Sequence, residues 1–166
     1  MRLIHLPFFW TVLVDILAWY VIHMGVAHGM ARVAAERFDP RTGLFRPRAI
    51  EADGELYERL LRIKAWKEHL PDGAALLGQQ GFPKKRLRER SPEFLAAFAR
   101  ETCRAELAHW LVILGGPLFF LWNRPGVGAL MVAYALAENL PLIIAQRYNR
   151  ARLLRVLGRS EGSHGG

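Results

Sequence analysis

Charge is confined to certain parts of this 166-residue chain, and that confinement limits what it can fold into. From Leu3 to Met30 the only formal charge is Asp15, from Leu107 to Trp122 there is none, and from Val127 to Gln146 there is only Glu138. The hydrocarbon core of a bilayer takes about 20 apolar residues of helix. Leu3–Met30 and Val127–Gln146 meet that length. Leu107–Trp122 is shorter and holds Gly115-Gly116-Pro117, so it reads as a short or broken span whose freed backbone groups need neighbours to satisfy them. The expected fold is all-α: a small integral membrane protein of about three transmembrane helices plus a cytoplasmic amphipathic helical segment. An overall mean hydropathy of +0.08 and a net charge of +8 describe neither population of residues.

The apolar content excludes a disordered chain, and the segregation of charge argues against a nucleic-acid partner. One cysteine, Cys103, permits no internal disulfide. Four segments follow: 1–30 a transmembrane helix, 31–104 a basic cytoplasmic segment, 105–146 a transmembrane hairpin turning at Asn123-Arg124-Pro125-Gly126, and 147–166 a basic tail. With only Arg2 as an n-region, the first segment is expected to be kept as an anchor, cleavage near Met30 being the alternative. Sixteen of the 23 Lys and Arg residues lie between Ala31 and Arg104, five follow Gln146, and the hairpin turn has one. The positive-inside rule then puts both basic segments in the cytoplasm and the amino terminus and hairpin turn outside, in a multi-pass cell-membrane protein.

Within the basic segment, Phe38–Ala52 is rich in Pro, Gly and Arg and reads as a loop over the membrane surface. Gly54–Leu70 has helical spacing of Leu56, Leu60, Ile63 and Lys67, predicting one amphipathic helix stopped by Pro71-Asp72-Gly73. Gly78–Arg90 reads as a loop carrying Lys84-Lys85-Arg86, and Ser91-Pro92-Glu93 as a helix start leading directly into the second span.

Reactive side chains concentrate in Glu101–Trp110, ETCRAELAHW, where a cytoplasmic helix enters the membrane. Glu106 and His109 fall on adjacent parts of one helical face, and Glu101 and Arg104 on another. A histidine oriented by a carboxylate acts as a general base towards a hydroxyl, so His109 is the candidate base and Glu106 its orienter. Pairing of both with other helices is the simpler structural role. Cys103, beside Arg104, is a candidate acyl-carrying nucleophile or an inert small residue. Asp15, His23, His28 and Glu138 are ionisable groups inside spans. His23 and His28 point about 140° apart at 100° per residue, and no HxxxH, HExxH or CxxC pairing occurs, so no metal centre is expected. Lys64, Lys67, Lys84, Lys85, Arg147 and Arg150 could receive the phosphates of an activated donor, or serve topology and anionic lipid alone.

Four phrases in order, LLRIKAWKEHLPD at Leu60–Asp72, GFPKK at Gly81–Lys85, FARETCRAELAHW at Phe98–Trp110 and NLPLIIAQRYNRARL at Asn139–Leu153, resemble the family of glycosyl-4,4'-diaponeurosporenoate acyltransferases. The resemblance covers about Glu55 to Leu154. It implies a membrane O-acyltransferase that esterifies a sugar hydroxyl of a glycosyl carotenoid or related glycolipid, towards a staphyloxanthin-like pigment. Its partners would be membrane lipids, a glycosyl isoprenoid acceptor and an acyl donor, acyl-CoA or an acyl carrier, with no bound cofactor; an oligomer is compatible with it. Positions matching the family include Lys64, Trp66, Lys67, Glu101, Cys103, Arg104, Glu106, His109, Asn139, Arg147, Asn149 and Arg150. On this reading His109, Glu106, Arg104 and Cys103 are the catalytic candidates, and Lys64, Trp66, Lys67, Arg147, Asn149, Arg150 and Glu101 the substrate-binding ones. The competing class is a non-catalytic membrane scaffold or lipid-binding subunit.

Overall fold

Helices account for the regular structure in a computed structural model of the chain, which describes residues 4–70 and 91–163, with side chains to residue 159. The predicted stop at Pro71 and the basic cluster at Lys84-Lys85-Arg86 lie outside the described residues. The elements are α1 (Phe8–Ala31), α2 (Glu55–Leu61), α3 (Ile63–Trp66), α4 (Pro92–Gly115) and α5 (Pro125–Ser163), with 3₁₀ turns between them and no strand among the described residues. Three helical stretches, Phe8–Ala31, Pro92–Leu121 and Pro125–Arg159, are long and apolar enough to cross a membrane.

Helix α1 has 24 residues, about 36 Å at 1.5 Å per residue, and buries only Asp15 and Met30. Phe8, Phe9, Ile16, Leu17, Tyr20 and Val21 are each more than half exposed. An apolar surface on this scale fits hydrocarbon as its solvent. Helix α4 begins as its sequence predicts: Ser91 Oγ accepts from the Phe94 N–H at 3.3 Å, and Pro92 occupies the first turn. It enters the apolar stretch at Leu107 unbroken, then tightens at Gly116 into a 3₁₀ turn to Leu121. Pro117, which lacks an N–H, falls in that turn. At Gly116 an added Cβ would stand 3.4 Å from the Val132 backbone, so the bare backbone allows the close approach of α5. Helix α5 runs for 39 residues, about 58 Å, well beyond a hydrocarbon core of about 30 Å.

Two compact units divide the chain: Met1–Ala34 with Leu107–Ile143, and Ala35–Glu106 with Ile144–Gly166. In the first, Trp19 stacks on the fully buried Phe119 at 4.5 Å and meets Tyr134 edge-on at 5.4 Å. The Asp15 Oδ1 atom accepts from Trp122 Nε1 and from the buried Asn123 Nδ2, both at 2.7 Å. A carboxylate of α1 thus holds the turn between α4 and α5. Because both donors use one oxygen, Asp15→Asn should preserve the arrangement, whereas Asp15→Leu strands two donors at about 1–3 kcal/mol each. Denaturation of the detergent-solubilised protein, with Leu strongly and Asn weakly destabilising, checks this.

In the second unit the single helix predicted over Gly54–Leu70 is divided. Helix α2 ends at Arg62, whose backbone is left-handed (φ 48°), and α3 restarts at Ile63. For a residue other than glycine that conformation costs on the order of 1–2 kcal/mol. It turns Ile63, fully buried, into a cluster with Tyr57, Ala145 and Tyr148, and burial of such a side chain contributes about 1.5–3 kcal/mol. Trp66 Nε1 reaches back to Leu61 O at 2.7 Å and ties the two pieces. Leu60, which the single helix would place on the packed face, is 72% exposed. The loop predicted over Phe38–Ala52 contains short 3₁₀ turns at Gly43–Phe45 and Ala49–Gly54.

Candidate active site

In the first unit His109 of α4 meets Asn139 of α5. His109 Nδ1 lies 2.9 Å from Asn139 Oδ1, and Asn139 Nδ2 donates to Ala135 O at 2.9 Å. Asn139 is buried and His109 half-buried. Close by, His23 Nε2 stands 3.7 Å from Glu138 Oε2, with His23 Nδ1 at 2.9 Å from Trp19 O. The side chain hydrogen-bonded to His109 is therefore that of Asn139. The Glu106 carboxylate, which the sequence reading assigns to orienting that ring, has two arginines on it.

Those arginines belong to the second unit. Glu106, with no exposed surface, accepts from Arg147 Nη1 at 3.0 Å on one oxygen and from Arg150 Nη2 on the other. Arg147 also binds Glu51, itself buried, and donates to the carbonyls of Leu44 (3.1 Å) and Arg46 (3.4 Å). Arg150 is 1% exposed and donates through Nε to Phe45 O at 2.8 Å. Two cations are matched by two carboxylates. Both arginines also hold the carbonyls of residues 44–46, so the group ties that loop to helices α4 and α5.

A different cluster gathers the remaining binding candidates around Glu58. Lys64 Nζ lies 2.7 Å from Glu58 Oε2, and the Tyr148 hydroxyl donates to Glu58 Oε1 at 2.8 Å. Arg152 Nη1 stands 3.3 Å from the same oxygen. Lys67 Nζ is 3.4 Å from Asn149 Oδ1 and 4.7 Å above the Tyr148 ring, while Trp66 packs against the cluster formed by Tyr57, Ile63 and Tyr148. The hydrogen bond from Lys64, with that from Tyr148, holds the Glu58 carboxyl below its ordinary range. Burial lowers Lys67 from the usual lysine range, because desolvation disfavours the ammonium form. Glu58 and Glu51 were not selected from the sequence. Apart from Lys64, six residues from Glu58, their partners come from helix α5, about 90 residues away, where no local pattern marks them.

Glu101 and Arg104 pair with each other, Nη2 to Oε1 at 2.6 Å, as their spacing predicts. Cys103 is fully buried, with Sγ 3.4 Å from Ala99 O. A substrate carbonyl does not reach a thiol in that position without movement of the surrounding side chains. Among the described residues no group of three or more His, Cys, Asp or Glu is placed to hold a metal.

A sequence profile of the family described as glycosyl-4,4'-diaponeurosporenoate acyltransferase matches residues 41–159. The chain is 30% identical over 149 residues to a protein of that name from Staphylococcus aureus (strain N315), an alignment covering 88% of this chain and 89% of the relative. It is 32% identical over 136 residues to one from Staphylococcus haemolyticus (strain JCSC1435), covering 81% and 78%. No solved structure matches the chain.

Proposed function

Because this chain belongs to the glycosyl-4,4'-diaponeurosporenoate acyltransferase family, and is thus an acyltransferase, we propose that it moves a fatty acyl group from a thioester donor to a sugar hydroxyl of a glycosyl carotenoid or related glycolipid. The observation that carries the chemistry is the hydrogen bond between Asn139 and His109. It fixes a histidine at the edge of the apolar stretch that begins at Leu107, where a lipid-borne hydroxyl is available. His109 takes the hydroxyl proton through Nε2 as the oxygen attacks the thioester carbonyl. The new O–C bond forms, the C–S bond breaks, and the same proton passes from Nε2 to the departing thiolate. The donor, acyl-CoA or an acyl carrier protein, is approached from the cytoplasm. Its phosphate groups are assigned to Lys67, with Asn149 and Trp66 beside it; Lys64, already paired with Glu58, flanks that position. Distribution of Lys and Arg supports this sidedness, with the basic segment and carboxyl terminus inside and the amino terminus outside.

Arg147 and Arg150 are assigned to holding the loop at residues 44–46, since carboxylates already match their charge. Arg104 is paired with Glu101 on another face of α4 from His109, so it is given no part in the transfer step. Direct transfer is preferred to an acyl-enzyme because Cys103 is buried. Accordingly Cys103→Ala should retain acyl transfer in isolated membranes; loss of turnover with normal protein levels would restore the covalent route. The function itself is tested by mass spectrometry of lipid extracts from cells with and without the gene. Loss of an acyl group from a glycosylated isoprenoid is the expected result, and an unchanged glycolipid profile would turn the reading towards a scaffold.

A further inference from the structure

An Asn side-chain amide has two orientations that exchange its oxygen and nitrogen, and the surroundings of Asn139 leave only one. Ala135 O is purely an acceptor, so the group 2.9 Å from it must be the amide nitrogen. The amide oxygen then faces His109 Nδ1, also at 2.9 Å. Two acceptors do not bond, so Nδ1 carries the proton. A neutral imidazole has only one, which leaves Nε2 with its lone pair. We propose that Asn139 is a positioning residue that holds His109 in the tautomer whose Nε2 is the base; this rests on the reading of His109 given above.

The choice of an amide has a physical reason. A carboxylate at 139 would fix the same tautomer but add a second charge next to Glu138 in an apolar stretch, where an unpaired charge is expensive. The amide sets the ring and its proton without adding charge. When Nε2 takes the substrate proton, the Nδ1–H bond to Asn139 persists and the ring does not turn, so the same nitrogen can return the proton to the leaving thiolate. The titratable groups facing His109 are Glu138 and His23. His23 has its own Nδ1 proton placed by Trp19 O, and its Nε2 is directed towards Glu138.

Three measurements test this on the full-length protein in lipid nanodiscs. The ¹⁵N spectrum of histidine-labelled protein, with His109 assigned from the His109→Gln sample, should show a protonated Nδ1 and an unprotonated Nε2 for the neutral ring. A proton on Nε2 would overturn the proposal with no variant needed. Asn139→Ala should lower kcat by about 10- to 100-fold, part of the 10²–10⁴ a general base supplies, with KM little changed. Asn139→Asp should keep much of the activity and move the acid limb of the kcat/KM profile to higher pH, since a carboxylate stabilises the imidazolium. A residue that served packing alone would leave that limb in place. His109→Ala separates the two levels. If it retains activity, the base assignment fails and this proposal with it. If it is inactive while Asn139→Ala keeps both rate and pH profile, only the positioning role fails.

Discussion

His109→Ala is expected to lower kcat for acyl transfer by about 10²–10⁴-fold, the range of a positioned general base, with little change in KM. The expectation follows from the hydrogen bond at Nδ1: the ring is held by Asn139, and removing it takes away the group that handles the proton in both halves of the step. Stability should change much less, since His109 is half-buried and its bond is to a neutral amide. Unfolding in detergent and turnover of labelled acyl-CoA, measured on the same preparation, separate these effects. A variant with wild-type turnover would remove His109 from the mechanism.

Glu106→Leu is expected to have the largest effect on stability. Removing one partner of a buried ion pair typically costs about 3–5 kcal/mol, because the charge left behind has neither water nor a counterion. In this protein Arg150, 1% exposed, would lose its carboxylate and keep the carbonyl of Phe45, while Arg147 would keep Glu51. The variant should unfold at lower denaturant or accumulate poorly, and Glu106→Leu/Arg150→Met should recover much of the loss. Folded Glu106→Leu protein should keep the pH dependence of the wild type. If it instead unfolds normally but loses the basic form of its rate profile, Glu106 is the orienter of His109 that the helix spacing suggests, and the division of labour between Glu106 and Asn139 drawn above is wrong.

That division also shows what the sequence makes legible. Composition carries far: the three apolar stretches and the helix start at Ser91-Pro92 reappear as elements, and the short or broken span expected at Gly115-Gly116-Pro117 is a 3₁₀ turn that continues the helix. His109 stands out in the sequence because a histidine at the edge of an apolar run is costly unless it is partnered. Its hydrogen-bond partner is not legible there, because helical periodicity sees neighbours three or four residues away and Asn139 lies 30 residues on, in another helix. The same limit applies to Glu51 and Glu58, whose distant partners Arg147, Tyr148 and Arg152 lie about 90 residues on. The break at Arg62 was missed for a related reason. Periodicity through Leu56, Leu60 and Ile63 is satisfied by one helix, and only the pocket made by Tyr57, Ala145 and Tyr148 explains why the chain turns to bury Ile63.

The central claim is acyl transfer to a sugar hydroxyl carried by a membrane lipid. It is tested most directly by reconstituting the purified protein in vesicles with a glycosyl carotenoid and acyl-CoA carrying a ¹³C-labelled acyl chain, and following both lipids by mass spectrometry. The account predicts a labelled ester on the sugar, one free thiol released per ester formed, and neither product with the His109→Ala protein. A labelled ester formed equally by that variant, or no ester from any thioester donor while the protein is folded, would contradict it.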